Sequence, residues 1–150
     1  MTTDTTTDPV IDPATDPATD PAAGPAADPA AHWVAVIDAN LAAYGNPDAA
    51  ARRTLLEQAW AVHGELIDPP IDGTGIDGID QMMVAVQSQF PGHTFRRSSG
   101  VDAHHGVARY SWELVAPDGG VSLVGLDVAE TGGDGKLVRV VGFMGPLPAR

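Results

Sequence analysis

Trp33, Ile37, Leu41 and Tyr44 recur along one helical stripe, so Ala31–Tyr44 is predicted to form an amphipathic helix. Gly45 stops it, and Asn46-Pro47 reads as an N-cap followed by proline in the first helical position. A second helix is predicted to run to about Val62, burying Ala51, Leu55, Leu56, Ala59 and Trp60. His63–Asp68 reads as a short extended segment closed by Asp68-Pro69-Pro70, and the stretch with Gly73, Gly75 and Gly78 reads as a loop. Ile79, Met82, Met83, Val86 and Phe90 then give the clearest amphipathic helix, with Asp77 as its N-cap and Pro91-Gly92 as its stop.

Beyond Gly92 the pattern reads as strands. They are predicted at His93–Val101, His104–Ala116, Val121–Thr131 and Leu137–Met144, with turns at Pro117-Asp118-Gly119-Gly120 and Gly132-Gly133-Asp134-Gly135. The order α-α-β-α-β-β-β-β predicts an α+β fold: a cone-like, curved, mostly antiparallel sheet with three helices on its concave side. The space between the layers would form a mostly apolar pocket, with Trp33, Trp60, Met83, Trp112 and Met144 as its lining.

The first thirty residues fit neither period. Asp-Pro and Pro-Ala recur irregularly there, and only Val10 and Ile11 offer apolar bulk. Such a segment buries too little surface to offset its ordering entropy, so residues 1–30 are expected to be a disordered arm and 31–150 the domain. The arm also carries six of the acids and no Lys or Arg, within a chain whose net charge is -12. The domain is therefore only mildly acidic. It lacks the basic patch of a phosphate-backbone binder, and Arg96-Arg97 would point to opposite sides of a strand, so no nucleic-acid partner is expected. The absence of cysteine excludes a disulfide framework and a thiolate metal site. No apolar run suits a membrane span, and the Met-Thr-Thr-Asp start lacks a signal peptide's basic region, so no membrane partner and a cytoplasmic location are expected.

Two carboxylates stand out. Asp68 ends a short strand between Ile67 and Pro69, near the mouth of the predicted cone. Partial desolvation there would raise its pKa into the range of proton transfer, although Asp before Pro also caps turns. Asp127 lies inside a strand, where Asp is disfavoured, and shares a face with Leu123, Gly125 and Ala129. Either the small neighbour leaves room for a ligand beside it, or that face is exposed. In the long predicted strand, His104, Gly106, Ala108, Tyr110, Trp112 and Leu114 share one face, like a pocket wall, and Arg109 and Glu113 lie on the other. His104 and His105 point opposite ways, so no metal is expected, and no cofactor is either. Gly73-Thr74-Gly75-Ile76-Asp77-Gly78 has the letters of a dinucleotide loop but not its strand-loop-helix setting, and Met82 and Met83 read as core or pocket lining.

Ala59-Trp60-Ala61, Leu66-Ile67-Asp68-Pro69 and Gly75, with the Met-rich helix ending Phe90-Pro91-Gly92-His93, resemble the SnoaL-like branch of the nuclear transport factor 2-like superfamily. So do Arg109–Leu114, Gly125–Glu130 and Val140–Pro146, which extends the resemblance over Ala31 to Pro148. Ketosteroid isomerases of this superfamily use a strand-end Asp-Pro aspartate to move a proton beside a carbonyl, while a tyrosine and a protonated aspartic acid hold the enolate. The resemblance implies Asp68 as the base and Asp127 as the second acid; in an enzyme of this kind Tyr110 or His104 would serve as polariser. The family's first-helix tyrosine has no clear counterpart: Asp38 stands in that region and Tyr44 about two turns later. Two functions are therefore expected to compete. One is an isomerase or polyketide-cyclase-like enzyme acting on a hydrophobic small molecule. The other is a non-catalytic binding or dimerisation module. A homodimer through the outer sheet face is expected, as is common in the superfamily.

Overall fold

The computed structural model describes residues 29–150. The arm expected over residues 1–30 therefore lies almost wholly outside the described residues, and the first helix takes in its last two positions.

Helix α1 spans Pro29–Tyr44, α2 Ala49–Ala59 and α3 Gly75–Gln89. The strands are β1 Trp60–Asp68, β2 Ile71–Thr74, β3 Thr94–Arg97, β4 Asp102–His104, β5 Val107–Val115, β6 Val121–Thr131 and β7 Leu137–Met144. They form one seven-stranded sheet in the order β2-β1-β7-β6-β5-β3, with β4 also paired to β5. Only β1 and β7 run parallel. The predicted α+β architecture, a curved and mostly antiparallel sheet carrying three helices, is the one observed. No described helix is long and apolar enough to cross a membrane.

The core lies between helices and sheet. Ile37, Leu41, Leu56, Ile79 and Met83 meet Leu66, Ala108, Leu114, Ala129, Leu137 and Val140 there, all essentially removed from water. At about 1.5–3 kcal/mol per large apolar side chain, this burial is the main force holding helices to sheet. Trp33, Trp60 and Met83, expected to line a pocket, are packed into this core.

Several local expectations are corrected. The second helix ends at Ala59, because Trp60 turns extended (φ -110°, ψ 143°) and joins the sheet opposite Leu137. Its indole N–H donates to Asn40 Oδ1 at 2.8 Å, a buried bond that no helical stripe could anticipate. The same helix begins two residues later than Asn46-Pro47 implies. Asp48 is its cap, accepting from Ala51 N–H at 2.7 Å, and Asn46 instead accepts from Asp48 N–H. Ile71–Thr74, read as loop, is a strand hydrogen-bonded to β1. Gly73 permits this, since a Cβ there would lie 2.8 Å from Gly78 O, against the start of α3. That helix is capped at Thr74, so Asp77 falls in its first turn and pairs with Arg53.

The long strand predicted over His104–Ala116 is two strands. His105 and Gly106 both adopt positive φ (49° and 78°) and make a tight hairpin between β4 and β5. His104 thus leaves the face it was expected to share with Tyr110.

Candidate active site

Four strands set one row of side chains across the concave face. In the register, Tyr110 lies opposite Asp127, and Asp127 opposite Gly142. On the far side of β7, the pairing of Ile67 with Val141 sets Asp68 beside Gly142. The row reads Tyr110, Asp127, Gly142, Asp68, with the glycine between the two acids. A Cβ on Gly142 would overlap Asp68 Oδ1 and lie 3.2 Å from Asp127 Oδ1, so any side chain there would drive the carboxyls apart.

Each acid is held by donors from other elements. Tyr110 OH donates to Asp127 Oδ2 at 2.9 Å, and Trp112 Nε1 to Asp127 Oδ1 at 2.6 Å. Tyr44 OH, from the end of α1, donates to Asp68 Oδ2 at 3.1 Å. Asp68 Oδ1 is buried without a partner. Asn40 stands behind Tyr110, close enough to favour its ionised form, yet its Nδ2 is outside hydrogen-bonding geometry.

The setting is short of water and of cations. Burial pushes the Asp127 carboxyl up to about 7, the charge of Asp68 adds to the rise, and the bonds from Trp112 and Tyr110 oppose it. Burial also raises Asp68, against the Tyr44 bond. Tyr44 and Tyr110 are raised well above the ordinary phenol value, chiefly by burial and then by the neighbouring carboxylates. Both tyrosines therefore remain protonated donors at neutral pH.

Asp68 and Tyr44 open onto a cavity of about 130 Å³. Its other walls are mainly apolar: Met82 and Val86 from α3, Phe90 just past its end, Phe95 from β3, and Trp112, Leu114, Leu123 and Met144 from the sheet. Trp112 and Met144 are among these walls. Asp127 and Tyr110 stand behind this wall, near enough to feel the charge of Asp68 but outside the cavity lining. The space expected at Gly125 is filled, because the Trp112 indole occupies the place of its missing side chain. His104 is exposed in β4, stacked edge-on with His105, and is not brought to the site. Asp38, the acid of α1, forms a surface ion pair with Arg97.

Two members of the site were not singled out from the sequence. Tyr44 was placed on the stripe with Ile37 and Leu41 and weighed against the family's first-helix tyrosine, but it was not named as a site residue. Gly142 carried no local signal, since its role depends on the register of β1, β6 and β7.

No family model matches the chain, and no curated protein does. Solved structures do. A protein from Agrobacterium tumefaciens, provisionally classed as an isomerase of the SnoaL-like family, is 34% identical; the match covers 77% of this chain and 99% of that one, with a TM-score of 0.72. A protein from Jannaschia sp. CCS1, provisionally classed as a SnoaL-like polyketide cyclase, shares the fold at 14% identity, covering 81% and 91% of the two chains with a TM-score of 0.61. A ketosteroid isomerase-like protein from Catenulispora acidiphila, solved with trimethylamine, shares it at 12% identity, covering 72% and 83% with a TM-score of 0.57. The similarity to the Agrobacterium protein spans nearly all of that chain, and with it this chain belongs to the SnoaL-like family of the nuclear transport factor 2-like superfamily.

Proposed function

We propose that the cavity binds a small hydrophobic carbonyl compound and that Asp68 moves a proton at the carbon next to the carbonyl. The observation that carries this reading is the placement of Asp68. It is a desolvated carboxyl with a raised pKa on the wall of an otherwise apolar cavity, bonded to a tyrosine hydroxyl that reaches the same space. In the proposed step the C–H bond breaks, its proton bonds to Asp68, and the electron pair moves onto the carbonyl oxygen. Once protonated, Asp68 holds Tyr44 less strongly, and the Tyr44 hydroxyl is free to donate to the developing oxyanion. Return of the proton to a different carbon would complete an isomerisation. Asp127, with Tyr110 and Trp112, acts from behind as a polar support.

Size narrows the substrate. An engineered cavity of about 150 Å³ takes up benzene, so a space of about 130 Å³ suits a single ring rather than a steroid. The test is solvent-deuterium exchange at the α-carbon of cyclohexenone, followed by proton NMR. Wild-type protein should accelerate it, and Asp68→Asn should abolish the acceleration while melting near the wild-type temperature. Equal exchange by both proteins would remove Asp68 from the mechanism.

We also propose a homodimer through the outer sheet face. Val124, Leu126 and Phe143 are exposed there, next to Leu147, which is 94% exposed. The ion pairs Arg96–Glu113 and Arg109–Asp102 put both charge signs on the flanking strands. A second copy, turned by a two-fold axis, would cover the apolar centre and meet charges of opposite sign at the rim.

A further inference from the structure

We infer that Asp68 and Asp127 form one proton-sharing pair, and that Gly142 is the residue whose missing side chain lets the two carboxyls meet. The catalytic consequence rests on the reading of Asp68 as a base; the pairing itself does not.

The starting point is the unmatched oxygen. Of the four carboxyl oxygens, three have donors: Tyr44 on Asp68 Oδ2, Tyr110 on Asp127 Oδ2 and Trp112 on Asp127 Oδ1. Asp68 Oδ1 has none and no contact with water. Beside it lies the position that a Gly142 Cβ would take, and Asp127 Oδ1 lies 3.2 Å from that same position. A proton carried by either acid is what this space lacks.

The surroundings offer nothing else to neutralise two charges. From α1 come Tyr44 and Asn40, and from β5 Tyr110 and Trp112. Helix α3 contributes Met82 and Val86, β3 Phe95, and β7 Gly142 and Met144. Among the described residues no cation acts on either carboxyl. Two uncompensated anions in such a space would repel and forgo hydration. With one proton the pair carries a single negative charge: one acid has an O–H bond, the other is ionised, and the unmatched oxygen gains a partner. For the proposed reaction, the proton held on Asp127 leaves Asp68 ionised and ready to accept another.

The test is a carboxyl-carbon NMR titration of the full chain labelled at aspartate Cγ, with Asp68→Asn and Asp127→Asn supplying the assignments. No substrate is needed, so a failure of the pairing and a failure of the ketone reaction are read separately. In the wild type, each of the two signals should show two inflections, and the pair should hold about one proton near neutral pH. In Asp68→Asn, the Asp127 signal should titrate in one step, with its midpoint lowered by about one pH unit or more. Gly142→Ala, if folded by circular dichroism, should likewise give single-step curves. Two independent single-step titrations in the wild type, with the Asp127 midpoint unchanged in Asp68→Asn, would overturn the pairing.

Discussion

Trp112 and Asp127 lock each other in place from neighbouring strands. The indole N–H donates to Asp127 Oδ1 at 2.6 Å, and the ring fills the space left by Gly125, the residue opposite Trp112 in the ladder. One contact therefore orients both a cavity wall and the buried acid behind it. Because an indole N–H can only donate, Asp127 Oδ1 accepts this bond whether the acid is neutral or charged.

The charge state of Asp127 should be visible in stability. Its carboxyl is lifted from 3.8 to about 7 in the fold, so between those values the native state keeps a proton that the unfolded chain has released. Stability from this group is complete below the unfolded value, falls as pH rises through the window, and levels off above about pH 7. The displacement corresponds to a cost on the order of 4 kcal/mol for the charged form. Asp127→Asn should lack this slope and be more stable than wild type at about pH 8. Urea melts of both proteins across the window measure it; a wild-type-minus-variant difference that does not change with pH would contradict a neutral Asp127.

Gly125→Ala should damage the site sterically. The new methyl would collide with the Trp112 indole and lie 2.6 Å from Phe143 O, which is backbone and cannot swing away. Overpacking of this kind costs about 1–3 kcal/mol. A lowered melting temperature together with weakened near-ultraviolet tryptophan dichroism is the expected outcome, and a wild-type melt would refute it.

Arg52 ties α2 to α3. It is nearly fully buried, and its Nε donates to Asp80 Oδ1 at 2.5 Å while Nη1 donates to Asn46 O at 2.9 Å. Arg52→Met would leave the half-buried Asp80 carboxylate without its partner, while Asn46 O keeps the bond from Gln87 Nε2, at a cost of about 3 kcal/mol. Adding Asp80→Leu should recover part of that loss, since the stranded charge goes with it. Denaturant unfolding of the single and double variants gives the comparison, and equal stabilities would mean the pair is not coupled.

The outer face supplies an assembly prediction. Leu126→Lys would place a charge in the middle of the exposed apolar patch without touching the core. Light scattering after size-exclusion chromatography should show a dimer for wild type and a monomer for the variant, with similar melting curves at low concentration. A monomeric wild type would rule out the proposed interface.

The elements with strong periodicity were legible from the chain. The α3 stripe, the β6 and β7 strands and the glycine-rich turns before them follow from spacing and turn chemistry alone. Trp60 and His104 were misread for the same reason: each sits where one period hands over to another. Trp60 extends a helical stripe by letter, but pairing with Leu137 and the bond to Asn40 draw it into the sheet. His104 continues an alternating run, but the positive φ of His105 and Gly106 folds that run into a hairpin.

By itself the sequence determined the layers of the fold and marked Asp68 and Asp127 as acids in unusual positions, because hydrophobic period and residue propensity are local properties. Only the tertiary structure decided that Tyr44 reaches Asp68, that Asp127 lies behind the cavity rather than on its wall, and that Gly142 stands between the two carboxyls. These relations depend on the register of four strands and the docking of one helix. Distant segments of chain set both through packing, which leaves no trace in the spacing of neighbouring residues.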